Sequence, residues 1–252
     1  MVIGLRAPSF FSLLNPSKSL DRQREREQDM AASYFDVDGT LVRTNLIHPL
    51  VFYMLNQQNP ARSIARLVKT AVNAPRLWLA EQKDRGAFNE LLFEGYRGIS
   101  EDRLLELADE AFDTVVRPAL YQDGLSLVKR VKASGHRVVL ISGSPDFILN
   151  RLARMIDADD VIGNRLEIRD GKATGRLRRP IVAGPEKAKI IKAHAKEHGF
   201  DLDACAAYSD TLSDVPMLSV VGRPAAVNPD FRLRALAKTH RWPVLDFDQA
   251  EA

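Results

Sequence analysis

The sequence predicts an α/β fold: a mostly parallel sheet covered by helices on both faces, with an all-helical block inserted after the first strand. Three observations predict it. Short apolar runs alternate with helical patterns from Pro118 onward, residues 46–118 carry helical periodicity alone, and several apolar runs stop abruptly at small polar clusters.

With 252 residues, 45% of them hydrophobic and 27% charged, the chain has the composition of an ordinary globular protein and room for one domain with an insert. Its net charge of +3 is too small to indicate nucleic acid as a partner, and its apolar runs are too short to span a membrane. Residues 1–30 read as an appendage. Phe10-Phe11-Ser12-Leu13-Leu14 is shorter than the apolar centre of a signal peptide, and the charged run 21–29 is a solvated tail or short helix. Cys205 is the single cysteine, which excludes an intramolecular disulfide; flanked by alanines, it reads as a small buried hydrophobe. A cytoplasmic protein is expected.

The folded part begins with the apolar run 31–35, a buried strand that ends in Asp36-Val37-Asp38-Gly39-Thr40, with Gly39 turning the chain away. The helical block follows, punctuated by Pro60, Pro75 and Pro118. In it Leu104, Leu105, Leu107, Ala108, Ala111 and Phe112 recur at helical spacing behind Ser100, an N-cap trailed by Glu101 and Asp102. Ile64, Leu67, Val68, Ala71 and Val72 form an apolar stripe flanked by Arg62, Arg66, Lys69 and Arg76. The stripe is expected to pack inside the block, with contact to a membrane surface as the rarer alternative.

A helix over 125–133 stops at Gly135, and 137–141 is a strand running into Ser142. The next helix is expected from Pro145, with Ser144 as its cap. Asp170-Gly171, between alternating runs in 161–177, signals a hairpin. Pro185 opens a helix to about His198, and 204–208 is a strand ending at Ser209-Asp210. Segments 212–220, 225–227, 231–238 and 244–245 complete the alternation. The organisation expected is a tail at 1–30, a core from 31–45 and 119–252, and a helical cap at 46–118.

Open parallel sheets bind ligands beyond the carboxyl ends of their strands. Three predicted strands end in Asp36/Asp38, in Ser142, and in Asp210 with Asp214 close behind; Lys187 lies in the first turn of a helix. Carboxylates crowded at one edge repel unless a cation shares the space, and oxygen donors without histidine or thiolate suit a hard ion such as magnesium. A lysine, a hydroxyl and helix N-terminal N–H groups are anion-binding chemistry. Together they describe a pocket for a phosphoryl group beside a metal.

Asp36-Val37-Asp38-Gly39-Thr40 resembles the first motif of the haloacid dehalogenase superfamily of phosphatases. Ser142 in Leu140-Ile141-Ser142-Gly143-Ser144 is similar to its second motif, Lys187 to its third, and Asp210-Thr211-Leu212-Ser213-Asp214 to its fourth, in the family's order. Within the superfamily the chain resembles the phosphoserine-phosphatase-like branch, subfamily IB, whose Rossmann-like core carries a small helical cap. The resemblance implies that Asp36 is the nucleophile that forms an aspartyl phosphate, and that Asp38 is the acid and base. It implies that Ser142 and Lys187 hold the phosphoryl oxygens, with Thr40 and Gly143 shaping the phosphate loops. Magnesium would be held by Asp36, the Asp38 main-chain carbonyl and Asp210, with Asp214 as ligand or support. The substrate implied is a small phosphorylated metabolite.

The residues around the motifs leave the identity of that metabolite open. A glutamate shortly after the first motif holds the amino group in phosphoserine phosphatases, and the matching position here is Asn45. Arg97 is the loose candidate for the arginine that binds the serine carboxylate. Phosphoserine and a lipid-headgroup or lysolipid phosphate are the alternatives. Two further classes, a phospho-accepting receiver domain and a silent binding protein on the same scaffold, fit less well. A receiver has about half this length and no acid/base at Asp38, and a silent relative would have lost a motif carboxylate. His48, His136, His194, His198 and His240 are scattered; His194 and His198 sit four apart on one helix without an obvious third ligand, and read as solvated.

Overall fold

The computed structural model describes residues 31–56, 72 and 74–247. The tail at 1–30 and all of the apolar stripe except Val72 therefore lie outside the described residues, and Val72 itself is exposed. Among the described residues no helix is long and apolar enough to cross a membrane.

Six parallel strands form the central sheet in the order β3-β2-β1-β6-β7-β8. They are β1 (Ala32–Phe35), β2 (Arg137–Pro145), β3 (Asp160–Asn164), β6 (Ala206–Ser209), β7 (Arg223–Val227) and β8 (Val244–Leu245). The middle strands are buried on both faces, which their unbroken apolar runs require. On β2, Val138 and Leu140 join one apolar cluster, and Val139 and Ile141 join the other. The first cluster is shared with α1 (Ile47–Leu55), α3 (Arg85–Phe93), α4 (Glu101–Ala111), α5 (Gln122–Ala133) and α6 (Asp146–Ile156). The second lies under α7 (Pro185–His198), α8 (Val215–Leu218) and α9 (Phe231–His240), around Tyr34, Ile191, Met217 and Leu233. Cys205 is fully buried, and its sulfur accepts the Ala32 N–H at 3.3 Å.

Between β1 and β2 the described chain is helical apart from short turns, with α2 (Ala74–Lys83) preceding α3. Ser100 caps α4, its hydroxyl accepting the Arg103 N–H at 3.3 Å. The hairpin of β4 (Leu166–Arg169) and β5 (Lys172–Leu177) turns at Asp170 and Gly171, both with positive φ (49° and 67°), the geometry that the Asp-Gly pair favours. Residues 98–101 run along the far side of β5: Gly98 N–H donates to Ala173, Ala173 N–H to Ile99, and Glu101 N–H to Gly171. The hairpin thus binds the helical segment to the sheet domain, a long-range pairing that no local pattern announces.

Two expectations need correcting. β2 continues through Ser144 to Pro145, and α6 starts at Asp146 with no side-chain cap, so Ser144 is not a cap. His194 is not solvated either: its side chain is 11% exposed and its Nδ1 lies 3.1 Å from the Tyr34 hydroxyl.

Candidate active site

The strand order leaves β1 and β6 adjacent, with the chain working outward from them in both directions, and a ligand crevice forms at the carboxyl ends of such a pair. Asp36 follows β1 directly and extends its pairing, its N–H donating to Tyr208 at 2.9 Å. Beyond it the Val37 carbonyl accepts from the N–H groups of Thr40, Leu41 and Val42, which folds the chain into a tight turn. Gly39 holds this turn at φ +84°, and a Cβ there would lie 2.0 Å from Asp210 Oδ2. Only glycine allows the turn and the Asp210 carboxylate to lie so close. Thr40, fully buried, reaches Asp210 Oδ1 at 3.4 Å.

Lys187, in the first turn of α7, is 4% exposed and bridges two carboxylates: Nζ lies 2.8 Å from Asp36 Oδ1 and 2.7 Å from Asp214 Oδ2. Lys189 points to solvent and pairs with Glu186, so burial separates the two lysines that the sequence leaves side by side. Asp214 also accepts from the Ser209 hydroxyl at 2.7 Å; its side chain turns inward and caps no helix. Asp38 Oδ2 accepts from two hydroxyls, Ser142 at 2.9 Å and Ser144 at 2.8 Å, and Ser142 Oγ takes the Ser144 N–H at 3.0 Å. Gly143 sits between them; a Cβ there would meet Asn89 Nδ2 at 2.8 Å.

Burial governs the charges. It pushes Asp36 up to about 7, against the pull of Lys187 and with the push of Asp214 and Asp38. Asp210 is driven well above the carboxylate range by burial and then by Asp36 and Asp214. Asp38 is raised by burial, which the Ser144 and Ser142 hydroxyls partly offset. Burial pulls the Lys187 ammonium down, but Asp214 and Asp36 outweigh it and hold it above its ordinary range. The cluster is short of positive charge, and its donors are all oxygen. Both features fit a hard divalent cation.

The cleft at Asp36 and Asp38 is lined by Asn45, Leu46 and Ile47, by Arg85, Phe88 and Asn89 of α3, and by Gly143, Lys187 and Asp214. Asn45 lines it while its Oδ1 takes the Ile47 N–H at 3.0 Å. Arg97 lies elsewhere, exposed beside Gly175 of the hairpin, and the structure does not bring it to the cleft. Arg85 is there instead, close enough for its charge to lower Asp38. Ser144, and Arg85, Phe88 and Asn89 of α3, were missed by sequence reasoning. The signal for Arg85 was Asp84-Arg85-Gly86: Asp84 caps α3 by accepting from Gly86 and Ala87, which fixes the next side chain at a helix start.

Residues 34–219 match the family model of the haloacid dehalogenase-like hydrolases. The "inhibition of morphological differentiation protein" of Streptomyces azureus is 33% identical over 220 residues, 86% of this chain and 78% of that protein. Phosphoserine phosphatase SerB1 of Mycobacterium tuberculosis is 31% identical over 218 residues, 86% of this chain and 71% of the relative. A substrate-bound phosphoserine phosphatase superposes with a TM-score of 0.64 at 17% identity, covering 86% of this chain and 92% of its own, a likeness of fold.

Proposed function

The chain belongs to the haloacid dehalogenase-like hydrolase family and is a phosphatase, and we propose that it hydrolyses a small phosphomonoester, with magnesium, through a phosphoryl group carried on Asp36. The observation that carries this reading is the buried Asp36–Lys187–Asp214 bridge at the end of β1, beside an Asp38 held by two hydroxyls. Asp36 attacks phosphorus and the ester P–O bond breaks; Asp38, raised by burial, gives its proton to the leaving alcohol. Asp38 then takes a proton from the water that attacks the phosphorus on Asp36, and phosphate leaves. Lys187 and Ser142 hold the phosphoryl oxygens, Ser142 giving up its bond to Asp38 while Ser144 keeps one. Gly143 and Thr40 keep the two loops close.

Asp36, the Asp38 main-chain carbonyl, Asp210 and Asp214 would hold magnesium. The ion supplies the positive charge that the crowded carboxylates and an incoming phosphoryl group call for. The helices described between β1 and β2 act as the cap: α3 lends Arg85, Phe88 and Asn89 to the cleft. A leaving group therefore meets a cation, an amide and an apolar ring. Phosphoserine is the narrower reading, favoured by the relative of that name and by Arg85 at the cleft, where it can meet a carboxylate. Asn45 speaks against it, since an uncharged amide replaces the carboxylate that would hold an ammonium group.

A screen of phosphoserine, phosphocholine, phosphoethanolamine and glycerol phosphates with magnesium tests both levels. Turnover of any of them, lost in Asp36→Asn, supports the phosphatase mechanism. Dominance of phosphoserine by orders of magnitude selects the narrower reading, and activity retained in Asp36→Asn rejects the mechanism.

A further inference from the structure

We infer that a second metal site, for a borderline transition ion of the zinc class, lies at Asp160, His194 and His198. It is distinct from the carboxylate cluster in place and in chemistry. His194 and His198 stand one turn apart on α7, and Asp160 opens the edge strand β3. In register, Asp160 pairs with Val139 and Val139 with Tyr34, so the three share the sheet face on which α7 packs. One ligand atom from each of Asp160, His194 and His198 lies within 4.8 Å of the other two. His194 Nε2 is 3.7 Å from Asp160 Oδ2, close to the spacing of about 3.4 Å that two donors some 2.1 Å from a tetrahedral ion would have.

Two further observations point to a ligand there. His194 Nε2 is buried and makes no hydrogen bond. An orphaned ring nitrogen facing a carboxylate is costly unless something bridges them. His194 Nδ1 meets the Tyr34 hydroxyl at 3.1 Å, and that oxygen can accept an Nδ1–H in the tautomer that leaves a lone pair on Nε2. A ring whose Nδ1–H is engaged in this way presents its Nε2 lone pair outward, the outer-shell arrangement of a metal-bound histidine. His198 lies 4.4 Å from His194 between ring centroids and stacks on Phe200 at 11°, which fixes its plane. Arg137 donates to Asp160 Oδ2 twice, from Nε at 3.3 Å and from Nη2 at 3.1 Å; the pair is partly exposed and orients the carboxylate, and an ion would draw on Oδ1 or displace one of these bonds.

Two imidazoles and one carboxylate select zinc, cobalt or nickel over magnesium, and leave a fourth position for water. His194 and His198 follow Lys187 by seven and eleven residues on α7, so they stand about 10 and 17 Å further along its axis at 1.5 Å per residue. The ion would clamp the far end of that helix to the edge of the sheet without touching the reaction centre.

The test uses the tag-free full chain, stripped with chelator, in excess magnesium, titrated with Co²⁺. One equivalent is expected to produce the visible absorption of a low-coordinate cobalt site, displaced by Zn²⁺ and not by magnesium. His198→Ala, at a half-buried position, and Asp160→Asn are expected to weaken binding at least tenfold, while His240→Ala binds as the wild type does. A folded wild-type protein that gives no such absorption overturns the proposal. So does a signal that survives both His198→Ala and Asp160→Asn.

Discussion

Gly39 and Lys187 show how single residues hold the site together. Gly39 combines a φ of +84° with a Cβ position 2.0 Å from Asp210 Oδ2. Gly39→Ala is therefore expected to cost about 1–3 kcal/mol in backbone strain alone and to displace Asp210; a thermal melt and a magnesium titration of activity read the two effects. Lys187 neutralises two buried carboxylates, so Lys187→Met strands them. The expected loss is about 3–5 kcal/mol in denaturant unfolding at neutral pH, with turnover gone; a loss below about 1 kcal/mol would mean the bridge is not buried as described. The motif residues Asp36, Asp38 and Asp210 were legible because they stand at abrupt strand ends and because four motifs resembling the family's follow in its order; Asp38-Gly39 alone reads as a common turn. Lys187 was less so, because Lys189 is chemically identical and only burial tells them apart.

At the scale of elements, the alternation of strands and helices was readable because buried parallel strands need unbroken apolar runs between helical patterns. The tail of β2 was not. Ser144 before Pro145 satisfies the local rule for a helix cap, yet its hydroxyl goes to Asp38, 106 residues away in sequence. The pairing of 98–101 with β5 was hidden for the same reason, being a contact between distant segments. Ser144→Ala tests the reassignment. A hydrogen bond to a charged group is worth about 1.5–3 kcal/mol, so kcat is expected to fall roughly 10- to 100-fold with KM little changed. A true helix cap would instead show lowered stability with kcat intact.

For the whole molecule, the fold gathers acidic groups whose mutual repulsion a cation would relieve. Without a divalent ion, Asp36 is raised by burial to about 7 from 3.8, the sense in which the folded state binds the extra proton. Its contribution to stability is then full below about 3.8 and lost as pH rises through about 7. Chelator-treated protein is accordingly expected to melt at falling temperature across that window, and protein in magnesium to lose less; parallel melting curves would contradict this. The cleft's composition was the least legible feature, because Arg85 and Asn89 come from α3, far along the chain from the motifs they meet in the fold. The most direct measurement is an acid-quenched single turnover with a phosphorus-labelled monoester in magnesium. Label bound to the chain, mapped to Asp36 and absent in Asp36→Asn, is the predicted result; phosphate released with no label ever on the protein would contradict the account.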